Sequence, residues 1–371
     1  MRIVIRADSS LKIGTGHVMR CLTLAEQLRN NDSDVAFVCR ELPGNIISLI
    51  KTRGYRVHCL PYKESSVIDD PQGNKHWDWP AIEKEFDAAQ TENILKNIEY
   101  ESDWLVVDHY ALNWKWEIKM RPHVNHLMVI DDLADRKHDC DILLDQNYFE
   151  QRESRYNDLV PKPCRLLLGP KYALLRSEFI EIRKNLRHRD GHVRRILIFF
   201  GGSDLSNETG KAMEAIASLE RSDLAVDVVL GISNPHKKEI MNRCRAMQNV
   251  VCHYQVDNMA QLMSDADLAI GAGGTTTWER LYLGLPSIIA VLAENQREVT
   301  EALTQRGVVW NLGKSSEIKT VDIARLVALA MTEPVTLQRM RQMGQSLFGN
   351  TTISGAEKVV QAMSEGIYAP A

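Results

Sequence analysis

Apolar and polar positions follow two different periods along this chain, and the changes between them predict its elements. Short, mainly apolar runs, as at 3–5, 103–108 and 268–271, are typical of strands that are buried on both faces. Other stretches carry apolar residues at helical spacing, and the first of these places them at Val18, Cys21, Leu22, Ala25 and Leu28. Strands and helices that alternate regularly predict a parallel sheet covered on both faces.

This alternation occurs twice, which predicts two α/β domains. The first series contains strands over 3–5, 34–39, 55–60, 103–108, 126–132 and 141–144. A charged helical stretch over 172–189 follows, and we place the domain boundary there. The second series contains strands over 193–200, 224–230, 250–254, 268–271 and 287–291, and two helices near 321–331 and 356–363. The predicted domains are residues 1–180 and 190–371, and the polar segment 63–78 is expected to be a surface insertion.

The first strand leads into a loop with two glycines and a helix that carries His17 in its first turn. Glycine allows the backbone of Gly14-Thr15-Gly16 to turn tightly and to approach a ligand closely. The positive end of a helix disfavours a protonated imidazole, so a histidine there is suited to act as a neutral general base. The alternative is a histidine that only caps or packs against a neighbouring loop.

Polar residues end three strands of the first domain. They are Arg6-Ala7-Asp8, Asp108-His109-Tyr110 and Asp131-Asp132. Ligands of parallel sheets bind beyond the carboxyl ends of the strands, so we expect these motifs to converge on one pocket beside His17. The pattern leaves open whether Asp131 or Asp132 contacts a substrate or only caps the following turn.

Two strands of the second domain end in glycine-rich loops, and each loop precedes a helix. The predicted phosphate-binding residues are Gly201, Gly202 and Ser203 in one loop and Gly273, Gly274, Thr275 and Thr276 in the other. Backbone N–H groups and hydroxyls in such loops can hold a diphosphate. Glu279, one helical turn further on, is placed to accept ribose hydroxyls. The alternatives are two ordinary turns and a carboxylate that is merely favourable in a first helical turn.

Composition narrows the class of protein. The 371 residues carry a formal net charge of −4 and no basic stripe with interleaved aromatics, which argues against nucleic-acid binding. No run of about 18 uncharged apolar residues exists, so no membrane span is expected. Seven cysteines without a CxxC pair favour a reducing, cytoplasmic location. The pattern Asp139-Cys140-Asp141 is too short to predict a metal site. We expect no cofactor, and we favour a monomer.

The chain also resembles a known family. Its start is similar to that of the UDP-2,4-diacetamido-2,4,6-trideoxy-β-L-altropyranose hydrolases of pseudaminic acid biosynthesis. The similarity lies in the run Arg6-Ala7-Asp8 and in residues 14–22. The similarity continues in order along nearly the whole chain, at 107–110, 130–136, 140–147, 169–176 and 294–296. The second half also resembles the UDP-binding half of the murein-synthesis N-acetylglucosaminyltransferase.

This resemblance implies a GT-B type of fold, in which two Rossmann-like domains with parallel sheets face each other across a cleft. It implies that His17 is the catalytic base and that Tyr110 and Asn295 lie in the substrate site. From the matching motifs and the glycine loop, we expect the same site to include Gly14, Thr15, Gly16, Asp108, Arg176 and Gln296.

The implied activity is metal-independent hydrolysis of a UDP-linked 2,4-diacetamido-2,4,6-trideoxyhexose to UDP and the free sugar, with inversion. A glycosyltransferase that uses the same UDP-sugar is the first alternative, because a fold does not fix a function. A non-catalytic protein that binds a UDP-sugar is the second. The resemblance favours the altro configuration, and an isomeric sugar of another nonulosonate route stays open.

Overall fold

The described part of the chain, residues 1–62, 84–98, 101–349 and 353–368 of this computed structural model, forms two compact units. The first contains Met1–Leu174 together with the C-terminal helix, and the second contains Leu175–Thr351. The predicted surface insertion, 63–78, lies outside the described residues.

A seven-stranded sheet organises the first unit. Its strands are β1 Arg2–Ala7, β2 Asp34–Arg40, β3 Arg56–Leu60, β4 Ser102–Asp108, β5 Val124–Ile130, β6 Ile142–Asp145 and β7 Arg165–Leu168. They run parallel in the order β3-β2-β1-β4-β5-β6-β7. The helices between them are α1 Gly16–Asn30, α2 Ile47–Thr52, α3 Lys84–Asn97 and α4 Trp114–Met120.

The central strand β1 is apolar on both faces because helices cover both. Ile3 and Ile5 pack in one core with Val18 of α1, whereas Val4 packs in a second core with Trp116 of α4. Side chains of a strand point alternately to opposite faces, so a continuous apolar run supplies both cores.

The second unit has a six-stranded sheet. Its strands are β8 Arg195–Phe199, β9 Ala225–Leu230, β10 Val250–Tyr254, β11 Leu268–Ala272, β12 Ser287–Val291 and β13 Trp310–Lys314. They run parallel in the order β10-β9-β8-β11-β12-β13. Its helices are α5 Ser177–Arg183, α6 Glu208–Ala217, α7 Lys237–Ala246, α8 Met259–Asp265, α9 Thr276–Tyr282, α10 Arg297–Gln305, α11 Thr320–Thr332 and α12 Pro334–Ser346.

Arg189 joins the carboxyl ends of two helices in this unit. Its buried guanidinium donates hydrogen bonds at the end of α8, to Met263 O at 2.8 Å and Ala266 O at 2.8 Å. It also donates to Leu283 O, just after α9, at 2.8 Å. Burial lowers the pKa of Arg189 to about 10. The last carbonyls of a helix have no partner within the helix, and this arginine satisfies them.

The predicted α/β class with two parallel sheets is confirmed, and the structure adds three elements that the pattern did not show. They are the short edge strand β7, the edge strand β13 and the helix α12. Both strands lie at sheet edges, where a strand is half covered and its apolar run is short or interrupted by polar residues.

The final helix, α13 Gly355–Tyr368, corrects the predicted division into 1–180 and 190–371. Its apolar residues Val359 and Met363 belong to the core that contains Ile3 and Val18, so this helix completes the first unit. The sequence shows that one face of this helix is apolar, but the face alone does not say which core it covers.

Candidate functional site

His17 lies at the edge of the first sheet where the strand order changes direction. β1 is flanked by β2 on one side and by β4 on the other, and binding sites of such sheets form at this point. The chain leaves β1, passes Gly14, whose φ of +78° favours glycine, and enters α1 at Gly16. The predicted loop therefore delivers His17 to the carboxyl ends of β1 and β4.

A short contact fixes the His17 ring. Its Nδ1 atom lies 2.6 Å from Oδ1 of Asp108, the last residue of β4. The ring of Tyr110 meets the imidazole edge-on, with 4.6 Å between ring centroids and 88° between planes. Burial, followed by the carboxylate of Asp132, raises the pKa of Tyr110 well above its usual value, so the phenol is neutral.

Arg20 also binds Asp108. It lies one turn after His17 on α1, and its Nε and Nη2 donate to the two carboxylate oxygens at 2.6 and 2.7 Å. Burial opposes the charge of Asp108, but Arg20 and then His17 hold the pKa of this carboxyl well below its usual range. Asp108 is therefore an ionised acceptor.

These contacts set the tautomer of the imidazole. An ionised carboxylate only accepts hydrogen bonds, so Nδ1 of His17 carries the proton that it donates to Asp108. The tautomer with its lone pair on Nε2 is the one that a general base needs.

Asp108 itself does not have its predicted place in the substrate site. Its side chain is completely buried, and Arg20 and His17 occupy both of its oxygens. Because the carboxylate is not exposed, Asp108 orients the imidazole of His17 and does not itself face a ligand.

The two neighbouring aspartates at the end of β5 have different contacts. Asp131 is fully buried, accepts from Ala134 N at 2.9 Å and pairs with Arg136 at 2.8 Å. Asp132 pairs with Arg20 at 2.9 Å and so joins the group around His17. Asp131 stabilises the turn after β5, and Asp132 is the member of the pair that belongs to the site.

A buried histidine connects Asp131 to α4. His138 Nδ1 lies 2.7 Å from Oε1 of Glu117, and its Nε2 lies 3.8 Å from Oδ1 of Asp131. Burial lowers the pKa of His138, but the two carboxylates more than offset this and raise it to about 9. The ring is therefore charged at neutral pH.

A second network of buried ion pairs and hydrogen bonds lies at the ends of β1 and β4. Arg6 donates to both oxygens of Asp8, at 2.5 and 2.8 Å, and to Asp87 at 2.8 Å. His109 follows Asp108 and places its Nε2 3.1 Å from Asp8. The three predicted motifs therefore lie close together. Within them, however, the side chains of Arg6, Asp8 and His109 are almost fully buried and do not face a pocket.

In the second unit, the loop after β11 lies against the turn after β12. A side chain at Gly273 would place its Cβ 2.6 Å from the Thr300 hydroxyl and 3.2 Å from Gln296 Cβ, so only glycine fits. The amide of Gln296 is tied to Leu292 N at 3.0 Å and lies close to Gly274. Asn295 belongs to the same single turn, 294–296, so the structure brings these predicted residues together.

The two glycine loops differ in the helix ends that follow them. At α6, the amides of Glu208 and Thr209 donate to Asp204 at 2.9 and 3.0 Å, and Gly210 N donates to Asn207 at 3.1 Å. At α9, the Thr275 side chain makes no cap bond, and the amides of Thr277 and Trp278 donate to Gly274 O at 2.9 Å and Thr275 O at 3.1 Å. Side chains thus satisfy the first amides of α6 and backbone carbonyls those of α9, and the phosphate-binding roles of the loops at 201–203 and 273–276 stay predictions.

Arg176 and Glu279 are a pair in the second unit. Arg176 Nε donates to Glu279 Oε1 at 3.0 Å, and its Nη1 lies 2.7 Å from Glu178. The other oxygen of Glu279 is buried and has no hydrogen-bond partner among the described residues. Glu279 thus retains an acceptor beside the loop at 273–276, as its predicted role requires.

The Asp139-Cys140-Asp141 pattern is accounted for by an ion pair. Arg121 binds Asp139 at 2.9 Å and Asp141 at 2.6 Å.

Over the residues that the structure describes, no helix is both long and apolar enough to cross a membrane.

Sequence reasoning did not single out Arg20, which holds Asp108 and Asp132 together. The signal was present, because Arg20 follows His17 by three residues and shares its side of α1. It also missed Asp145 at the end of β6, which accepts from Tyr156 at 3.1 Å. Burial, then the charge of Asp132, raises the pKa of Asp145 well above its usual value.

Comparisons with known proteins agree with this geometry. Residues 196–353 match the Glycosyltransferase family 28 C-terminal domain. The chain is 30% identical over 308 residues to an uncharacterized protein of Methanocaldococcus jannaschii, which is 80% of this chain and 57% of that protein. It is 27% identical over 310 residues to the UDP-2,4-diacetamido-2,4,6-trideoxy-β-L-altropyranose hydrolase of Campylobacter jejuni, which is 83% of this chain and 97% of that protein.

Among solved structures, MurG of Acinetobacter baumannii is similar in fold, with a TM-score of 0.61 and 14% identity over 98% of this chain and 99% of MurG. The fold is therefore of the GT-B type, with two Rossmann-like units. The predicted resemblance to the hydrolase family is confirmed.

Proposed function

From the resemblance to the UDP-2,4-diacetamido-2,4,6-trideoxy-β-L-altropyranose hydrolases, we propose that this protein is an enzyme that acts on a UDP-sugar and hydrolyses it. The products are UDP and the free 2,4-diacetamido-2,4,6-trideoxyhexose. The observation that carries the proposal is the contact between His17 and Asp108, which orients the imidazole at the carboxyl edge of the first sheet. The 27% identity to the Campylobacter jejuni hydrolase supports the substrate.

His17 takes a proton from water in this mechanism. The water oxygen forms a bond to the anomeric carbon as the bond from that carbon to the diphosphate oxygen breaks. Attack from the face opposite to the leaving group inverts the anomeric centre. UDP leaves as a stabilised anion, so a strong general acid is not needed, and a positioned base contributes about 10²- to 10⁴-fold in rate.

The second unit holds the UDP part in this proposal. Backbone N–H groups of the loops at 201–203 and 274–276 stabilise the charge that develops on the diphosphate. Glu279 accepts hydrogen bonds from the ribose through the oxygen that has no partner among the described residues. Gln296, which lies against the loop at 274–276, and Asn295 of the same turn contact the substrate.

The experiment is incubation of the purified protein with the UDP-sugar in the absence of any acceptor, followed by NMR of the products. We expect equimolar UDP and free sugar, with the opposite anomer formed first. His17→Ala should lower turnover about 10²-fold or more and leave UDP affinity unchanged. His192→Ala, at an exposed position, is the matched control and should keep full turnover.

Each alternative predicts a different result. A glycosyltransferase releases UDP only when a sugar acceptor is added, so hydrolysis in water would be absent or slow. A binding protein shows affinity for the UDP-sugar without turnover, and His17→Ala would then change little. Undiminished turnover in His17→Ala would contradict the assigned base.

A further inference from the structure

Two cysteines of the first unit lie side by side at the start of neighbouring strands. The sulfur atoms of Cys140 and Cys164 are 3.7 Å apart, and both residues are free thiols. Cys164 directly precedes β7, and Cys140 lies two residues before β6. Arg165 N donates to Asp141 O at 2.8 Å, so the backbones are joined next to both thiols.

The position of this thiol pair separates it from the site described above. β6 and β7 are parallel, and His17 lies at the carboxyl edge of their sheet. The thiol pair, Cys140 and Cys164, lies at the opposite, amino edge. A chemical change at the pair therefore does not touch His17 or Asp108 directly.

The two thiols differ in their access to solvent. Cys164 is half-buried, whereas Cys140 is buried with 2% of its surface exposed. The hydrogen bond with Cys164 and then burial raise the pKa of Cys140 well above its usual value. Cys164 is therefore the thiol that an external reagent can reach, and Cys140 lies behind it within contact distance.

From this geometry we propose that Cys140 and Cys164 are an oxidation site, at which a low-molecular-weight disulfide converts the two thiols into an intramolecular disulfide. The thiolate of Cys164 attacks the external disulfide, forms a mixed disulfide and releases one thiolate. Cys140 then gives up its proton and attacks the sulfur of Cys164, which releases the second thiolate. Two protein thiols are oxidised, and one external disulfide is reduced to two thiols.

The bridge would close a loop that contains residues 141–163. This segment includes Asp145 and Tyr156. The Tyr156 hydroxyl lies within hydrogen-bond distance of Asp145 and of Asp131 O, just after β5. A crosslink that closes such a loop restricts the unfolded chain. Oxidation is therefore expected to raise the melting temperature of the first unit by a few degrees.

Oxidised glutathione is the probe for this proposal. The full chain is reduced, exposed to it, quenched with an alkylating agent, digested without reductant and analysed by mass spectrometry. We expect a peptide pair crosslinked through Cys140 and Cys164, which dithiothreitol separates. In Cys140→Ser, glutathione should stay attached to Cys164 at about tenfold or more the level in the unsubstituted protein, because the second thiol is missing.

Cys59→Ser is the matched control, since Cys59 is also a half-buried thiol of the first unit. It should leave the crosslink unchanged. Equal glutathione on Cys164 with and without Cys140 would overturn the proposal. So would a Cys164 that remains a free thiol while Cys59 is modified, or a crosslink that joins either cysteine to a different partner.

Discussion

The Nδ1 atom of His17 lies 2.6 Å from Oδ1 of Asp108, and this contact joins the first turn of α1 to the last residue of β4. The two residues are 91 positions apart along the chain. A buried ionised carboxylate thereby selects the tautomer of an imidazole at the edge of the sheet.

Asp108→Asn tests this relationship. The amide can donate to Nδ1 of His17, which would move the ring proton to Nε2 and remove the base. We expect turnover to fall about 10²- to 10⁴-fold, while the affinity for UDP measured by calorimetry stays the same. Asp103→Asn, at the other end of the same strand, is the matched control and should keep its turnover. Normal turnover in Asp108→Asn would show that Asp108 does not orient the base.

Gly274→Glu tests the proposed diphosphate loop. Added at this position, a carboxylate would stand next to Gln296 and repel the diphosphate. The expected loss of UDP affinity is about 10²-fold or more by calorimetry, because like charges in close contact cost several kcal/mol. Ala217→Glu adds the same charge to an exposed position of α6 and should not change the affinity. Normal affinity in Gly274→Glu would refute the placement.

The charge of His138 makes stability depend on pH. Its pKa is raised from 6.5 to about 9 in the folded state, so the charged form stabilises the fold fully below pH 6.5 and this contribution is lost as pH rises through about 9. The free energy of unfolding of the unsubstituted protein minus that of His138→Gln should therefore shrink by about 3 kcal/mol between pH 6 and pH 10.

Chemical unfolding in urea at several pH values measures this difference. His58→Gln is the control: burial lowers the pKa of His58, so the corresponding difference should not shrink between pH 6 and pH 10. A difference that stays constant from pH 6 to pH 10 would mean that His138 is not charged in the folded protein.

Arg189→Met tests how the second unit is held together. The change leaves several buried carbonyls at the ends of α8 and α9 without donors. Each buried group without a partner costs about 1–3 kcal/mol, so we expect a loss of about 3 kcal/mol or more in urea unfolding. Arg194→Met removes an exposed pair with Asp190 and should hardly move the midpoint. Equal midpoints for the two variants would contradict the role of Arg189.

Much of the fold was predictable because the apolar pattern and the turn residues of a segment depend on that segment's own burial and backbone conformation. The run Ile3-Val4-Ile5 predicts a strand that is buried on both faces, and its residues do pack in two cores. The glycine loop before α1 was also predictable, because Gly14 needs a positive φ. The edge strands β7 and β13 were not, because edge positions do not impose a continuous apolar run.

The sequence by itself determined the class of fold, the alternation of elements and the presence of His17 between a glycine loop and a helix. Only the tertiary structure decided that Asp108 lies behind the imidazole, that Arg20 and Asp132 complete the group, and that α13 packs in the first unit. The physical reason is that apolar periodicity and turn chemistry act between near neighbours in the chain. Partners of a buried charge come from wherever the sheet order brings strand ends together, and no local pattern records that order.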